Sequence, residues 1–123
     1  MTDTVVDASL LAKLVIAEAD SQRVRDWYAA VPPDGDLIGP TLLFYETARA
    51  LQKDGQSRAV HEKLVSGITL VEPTPDIWRY LDGVTFYDAS YLQLAKARGA
   101  SLATTDDKMR AAAKKHGIGL AFP

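Results

Sequence analysis

A chain of 123 residues, 47% of them hydrophobic and 24% charged, has the size and composition of one domain with its own core, which excludes an intrinsically disordered chain. The absence of cysteine excludes disulfide frameworks and thiolate zinc sites, and His61 and His116 stand too far apart in sequence for a local zinc pair. A formal net charge of -2 excludes a general basic field, so any nucleic-acid contact must come from a local patch.

No basic segment followed by an apolar run opens the chain, so no signal peptide is expected. The longest apolar stretch, Leu10 to Ala17, contains Lys13 and is too short to cross a bilayer. A soluble cytoplasmic protein without membrane contact is the expectation.

Thr2 to Val6 is β-prone and runs straight into Asp7. Ser9 to Ala19 reads as a helix, with Leu10, Leu11, Leu14 and Val15 on one stripe. Asp20-Ser21 restarts a second helix carrying Val24, Trp27, Tyr28 and Val31, and Pro32-Pro33-Asp34-Gly35-Asp36 is a turn. Leu37-Ile38-Gly39 is a second strand, and Pro40 suits the first turn of the helix Thr41 to Lys53, stopped by Asp54-Gly55. A helix from Ser57 to Val65, a strand Ile68 to Val71 and a short helix Pro75 to Leu81 follow. Thr85 to Arg98 is a long helix with a Gly99 stop. Ser101 to Thr104 is a fourth strand, Asp106 to His116 a helix, and Ile118 to Phe122 a fifth strand. Strands alternating with helices through short loops predict one α/β domain over residues 1–123, with a mainly parallel sheet covered on both faces.

Four carboxylates stand out. In open parallel sheets, ligands bind beyond the carboxyl ends of the strands, where strand order reverses. Asp7 lies just past the first strand, and Asp106 and Asp107 just past the fourth. Each has an ordinary account as a helix cap, and Thr104-x-x-Asp107 fits a capping box. Glu46 shares its helix face with Leu42, Leu43 and Ala50, so it points toward the core, where a carboxylate needs a cation or another partner; Arg49 is one candidate. Asp88 begins a stripe with Tyr91, Leu92 and Ala95, and is also the acid of a capping box with Thr85. Like charges brought together require something positive among them. With no cysteine or nearby histidine, the natural partner is Mg2+ or Mn2+.

These residues resemble the PIN domains, and specifically the VapC-type toxin ribonucleases of toxin–antitoxin pairs. The resemblance runs nearly the whole chain. It rests on Val5-Val6-Asp7-Ala8-Ser9 with Lys13 and Glu18, Pro40-Thr41-Leu42-Leu43-Phe44-Tyr45-Glu46 continuing to Leu51, Tyr87-Asp88-Ala89-Ser90-Tyr91-Leu92-Gln93-Leu94-Ala95, and Gly99-Ala100-Ser101-Leu102-Ala103-Thr104-Thr105-Asp106. It implies a three-layer α/β/α sandwich with a five-stranded, mainly parallel sheet. It also implies Mg2+- or Mn2+-dependent hydrolysis of RNA, with Asp7, Glu46, Asp88 and Asp106 as catalytic metal ligands and Ser9 and Thr104 as accessory hydroxyls. Asp107 keeps a capping role. Lys13, Arg49 and Lys108 are candidate phosphate contacts, each with an ordinary alternative as a solvated side chain.

A cognate antitoxin and a homodimer follow from the same resemblance. Trp27, Tyr28 and Val31 are either core or a groove for a partner helix, and Trp78 and Tyr80 are open to the same two readings. Two departures stand out: Arg49 occupies a position where many relatives carry asparagine, and the segment Pro73 to Tyr87 is short. A PIN-fold module that binds RNA or protein without cutting is the alternative. A phosphorelay receiver would need an aspartate after the third strand, where Glu72-Pro73 stands, and a dehalogenase-type phosphatase a second acid where Ser9 stands.

Overall fold

The computed structural model describes residues 3–32 and 35–123. Four strands form one sheet: β1 (Asp3–Val6), β2 (Asp36–Pro40), β3 (Ile68–Val71) and β4 (Ser101–Ala103). Around them stand α1 (Ala8–Ala12), α2 (Ser21–Ala29), α3 (Leu42–Lys53), α4 (Arg58–Val65), α5 (Phe86–Arg98) and α6 (Asp107–Lys115), with a 3-10 helix at Pro75–Tyr80. Part of the expected first strand, Thr2, and part of the expected turn, Pro33 and Asp34, lie outside the described residues.

The sheet order is β3-β2-β1-β4, and every pairing is parallel. The chain builds outward from β1 through β2 to β3, then returns to β4 on the far side of β1. The order therefore reverses between β1 and β4, the place past the strand ends where open parallel sheets bind ligands. Neighbouring residues on a strand face opposite sides of the sheet. Val5 and Val6 are 0% and 1% exposed, and Leu102 and Ala103 are also buried, so both faces of the central strands are covered by helices. The architecture is thus helix, parallel sheet, helix. Tyr91, Leu92, Leu10, Leu11, Leu43 and Met109 fill the core.

Two expectations fail locally. The fifth strand at Ile118 to Phe122 reduces to one parallel bridge, Leu102 with Leu120. The Gly119 carbonyl and the Ala121 N–H pair with the two backbone groups of Leu102, at 2.8 and 2.9 Å, and a neighbour only three residues long offers no second register point. The first helix also stops at Ala12 rather than Ala19. Lys13, Leu14 and Val15 donate to carbonyls only three residues back, so the chain tightens into turns there. Trp27 takes the core reading: it meets Phe122 edge-on at 6.0 Å and donates its Nε1–H to the Ala121 carbonyl.

Candidate active site

Asp7 follows β1 directly, and its N–H donates to the Ala103 carbonyl at 3.0 Å, which binds the ends of β1 and β4 together. It occupies the N-cap position of α1, yet its carboxylate forms no capping hydrogen bond. Instead Oδ2 accepts from two hydroxyls, Ser9 Oγ at 2.7 Å and Thr104 Oγ1 at 2.8 Å. Burial of the side chain raises the Asp7 pKa, the two hydroxyl bonds pull it down, and the nearby Asp106 charge adds to the rise. The cap reading is therefore replaced by one in which Asp7 is held, and partly shielded, at the strand ends.

Thr104 has a second bond, accepting from the Asp106 N–H at 3.1 Å. Asp106 is the cap of α6, its Oδ1 accepting from the N–H groups of Lys108 and Met109 at 2.8 and 3.2 Å. Here the sequence expectation is corrected. Capping falls to Asp106, not to Asp107, because Thr104 is engaged with Asp7 and the helix begins two residues later than a Thr104 cap would set it. Asp107 is exposed in the first turn.

Glu46 and Asp88 come from α3 and α5. The Tyr91 hydroxyl donates to Glu46 Oε1 at 2.8 Å. Burial raises the Glu46 pKa, the Tyr91 bond opposes this, and the charges of Asp7 and Asp88 raise it further. Asp88 is raised by burial and then by Asp7 and Asp106. Its own N–H is fixed by the Thr85 hydroxyl at 3.1 Å, one half of the capping box. The Asp106 charge thus acts on Asp7 and Asp88, Asp7 acts on Glu46 and Asp88, and Asp88 acts on Glu46. The four expected acids lie on the same side of the fold: Asp7 and Asp106 follow the paired strands β1 and β4, and Glu46 and Asp88 stand half-buried on α3 and α5.

The donors are all hard oxygens, the chemistry that suits Mg2+, Mn2+ or Ca2+ and not a soft ion. Among the described residues no three acids are drawn close enough to form a closed coordination shell. The donor set fits a hard cation, and the mutual repulsion of its members is what a cation relieves.

Of the accessory cations, Lys13 is spoken for. Its ammonium donates to Asp20 at 2.9 Å and Thr105 at 2.8 Å, tying the turn after α1 to the loop after β4. Lys108 is an exposed side chain in the first turn of α6. Arg49 lies beside Glu46 in a cleft of about 470 Å³ whose other lining residues are Tyr45, Ala50, Lys53 and Tyr87. Sequence reasoning missed Tyr91 as a partner of Glu46. It also missed Lys53, although Tyr45, Arg49 and Lys53 recur at intervals of four, a signal visible in the sequence.

A PIN domain family model matches residues 4–115. Among solved structures, VapC20 of Mycobacterium tuberculosis, described as a toxin cleaving the sarcin-ricin loop, superposes with a TM-score of 0.73 at 21% identity over 89% of this chain and 94% of its own. A Pyrobaculum aerophilum protein gives 0.66 at 27% identity over 90% and 86%. A toxin–antitoxin complex from Klebsiella pneumoniae gives 0.67 at 18% identity over 88% and 90%. At such low identities the two toxin structures establish a shared fold. No curated protein matches the sequence.

Proposed function

We propose, from the premise that this chain belongs to the PIN domain family, that it is a metal-dependent endoribonuclease and the toxin of a type II toxin–antitoxin pair. One observation supports this reading: Asp7 is buried at the end of β1 beside β4, and burial together with the charges of neighbouring acids raises the carboxyls of Asp7, Glu46 and Asp88, which a cation would relieve. A bound Mg2+ or Mn2+ would supply Lewis-acid polarisation of a phosphodiester and a water acidic enough to act near neutral pH. Asp7 and Asp88 would be its main ligands, with Glu46 and Asp106 ligating directly or through water.

The protein's own residues prepare that site. Ser9 and Thr104 aim one oxygen of Asp7 and leave the other available. Tyr91 does the same for Glu46; burial and the Asp7 and Glu46 charges raise its pKa, so it remains a neutral donor. Asp7 and Thr104 are buried at the strand ends, where the low polarity strengthens the charge interactions of Asp7.

The likeness to a toxin–antitoxin complex supports a cognate antitoxin as partner. A second copy of the chain is a further partner of this reading, with the exposed Trp78, edge-on to Phe86, as an apolar patch available to it. The test is cleavage of labelled RNA in Mg2+ or Mn2+, with and without chelator, alongside calorimetric titration of the metal. Cleavage that survives chelation would sink the metal-dependent reading. Metal binding without any cleavage would favour the non-cutting RNA- or protein-binding alternative.

A further inference from the structure

The cleft beside Glu46 has features the candidate acids do not use. Tyr45 is 71% exposed and Tyr87 62%, unusual for large rings on a small domain. They come from different helices, α3 and α5, yet line the same cleft. Arg49 and Lys53 line it with them, and among the described residues neither has an ion-pair partner, unlike Lys13, Arg58, Arg79, Arg98 and Lys115. Tyr45, Arg49 and Lys53 form one stripe along α3, about 12 Å long at the helical rise. Glu46 itself lines the cleft and Tyr87 directly precedes Asp88 on α5, so the cleft adjoins two of the candidate acids.

Exposed rings set among unpaired cations form the arrangement that holds single strands: aromatic faces take the bases and cations take the phosphates. A paired base is stacked within its duplex and cannot lie flat on Tyr45 or Tyr87. An apolar helix from a protein partner would find few anchors here, because Ala50 is the cleft's only aliphatic lining residue. We propose that this cleft is the substrate-positioning subsite for unpaired RNA. In it Tyr45 and Tyr87 stack bases, and Arg49 and Lys53 hold the adjoining phosphates, so that the strand leads toward the candidate acids. The assignment rests on the ribonuclease reading for its RNA, but its test does not depend on cleavage.

Binding is measured by fluorescence anisotropy in Mg2+, on Asp88→Asn protein so that no strand is cut. The probe is a labelled mixed-sequence RNA of about 10 nucleotides, within the span of such grooves. Its fully paired duplex serves as comparison. The single strand should bind at least about tenfold tighter than the duplex. Tyr45→Ala and Tyr87→Ala should each weaken it about tenfold, with Tyr45→Phe restoring affinity. Arg49→Ala and Lys53→Ala should each flatten the dependence of log affinity on log salt by about 0.7, a change the tyrosine variants should not make. Absence of binding, equal affinity for the duplex, or alanine variants that bind RNA like their parent would overturn the subsite. So would variants that lose only the antitoxin, since the cleft would then be a protein dock. Failure of wild-type cleavage, with these binding results intact, would instead count against the nuclease reading.

Discussion

The Thr104 hydroxyl donates to Asp7 Oδ2 at 2.8 Å across the two strands between which the sheet order reverses. Thr104 is fully buried and also accepts from the Asp106 N–H, so a single hydroxyl fixes two of the four acids. Thr104→Val keeps the shape and removes both bonds. The buried Asp7 carboxylate loses a donor, and the expected loss of stability is about 1–3 kcal/mol. Metal affinity or activity should fall by about 10–100-fold, the usual effect of removing a group that orients a ligand. Denaturant melts and metal titration of the variant check both.

The raised carboxyls make a prediction about pH. The ordinary values are 3.8 for Asp7 and Asp88 and 4.5 for Glu46, and each is raised in the folded chain. Between the ordinary and the raised value the folded state binds more protons than the unfolded one, so stability falls as pH rises through that window. Their contribution is therefore fully present below the ordinary values and lost above the raised ones. Asp20 and Asp82, whose pKa values are lowered, act with the opposite sign, so the comparison is best made with a single-site variant. In chelator at neutral pH, Asp88→Asn should melt higher than wild type, and the difference should shrink as pH is lowered through the acidic range. Added Mg2+ or Mn2+ should raise the wild-type melting temperature and do so less for the variant. Thermal melts across pH, with and without metal, report all of these.

Tyr91→Phe isolates the hydroxyl that aims Glu46. The ring is fully buried and the phenylalanine keeps its packing, so the stability cost should be only about 1 kcal/mol. With the donor gone, the Glu46 pKa should rise further, because the Tyr91 hydrogen bond stabilises the charged carboxylate. Cleavage should weaken most on the acidic side of its pH profile. A profile identical to wild type would show that Glu46 does not depend on Tyr91.

Gly39 is the penultimate residue of β2, buried and packed under Leu43. A Cβ there would stand 2.6 Å from Leu43 Cδ1, and Leu43 is fully buried on α3, three residues before Glu46. Gly39→Ala should cost about 1–3 kcal/mol by overpacking. It should also shift α3 enough to reduce metal affinity, which a denaturant series and calorimetry would measure.

Much of the candidate site's placement was legible because acids after strands and on apolar helix faces are local patterns. Asp7 and Asp106 were read from strand ends, and Glu46 and Asp88 from helical spacing. What sequence could not supply were contacts between distant elements. The Tyr91–Glu46 bond spans two helices, and Tyr91 alone reads as one more core aromatic. Lys13 reads as a free cation until folding brings Asp20 and Thr105 to it. Periodicity carried the first helix too far, because Leu14 and Val15 continue the stripe while the backbone has already tightened. The fifth strand has the composition of a strand but only a three-residue neighbour to pair with.

The central claim is that Asp7, Glu46, Asp88 and Asp106 act together to hold the cation that RNA hydrolysis requires. It is tested most directly by the single-turnover rate of cleavage of labelled RNA in Mn2+, measured for wild type, Asp7→Asn, Glu46→Gln, Asp88→Asn and Asp106→Asn, each checked for fold by circular dichroism. The account predicts cleavage by wild type that chelator abolishes. It also predicts losses of at least about 100-fold for Asp7→Asn and Asp88→Asn, a barrier change of about 2.7 kcal/mol or more. Folded Asp7→Asn protein that cleaves at the wild-type rate would contradict it.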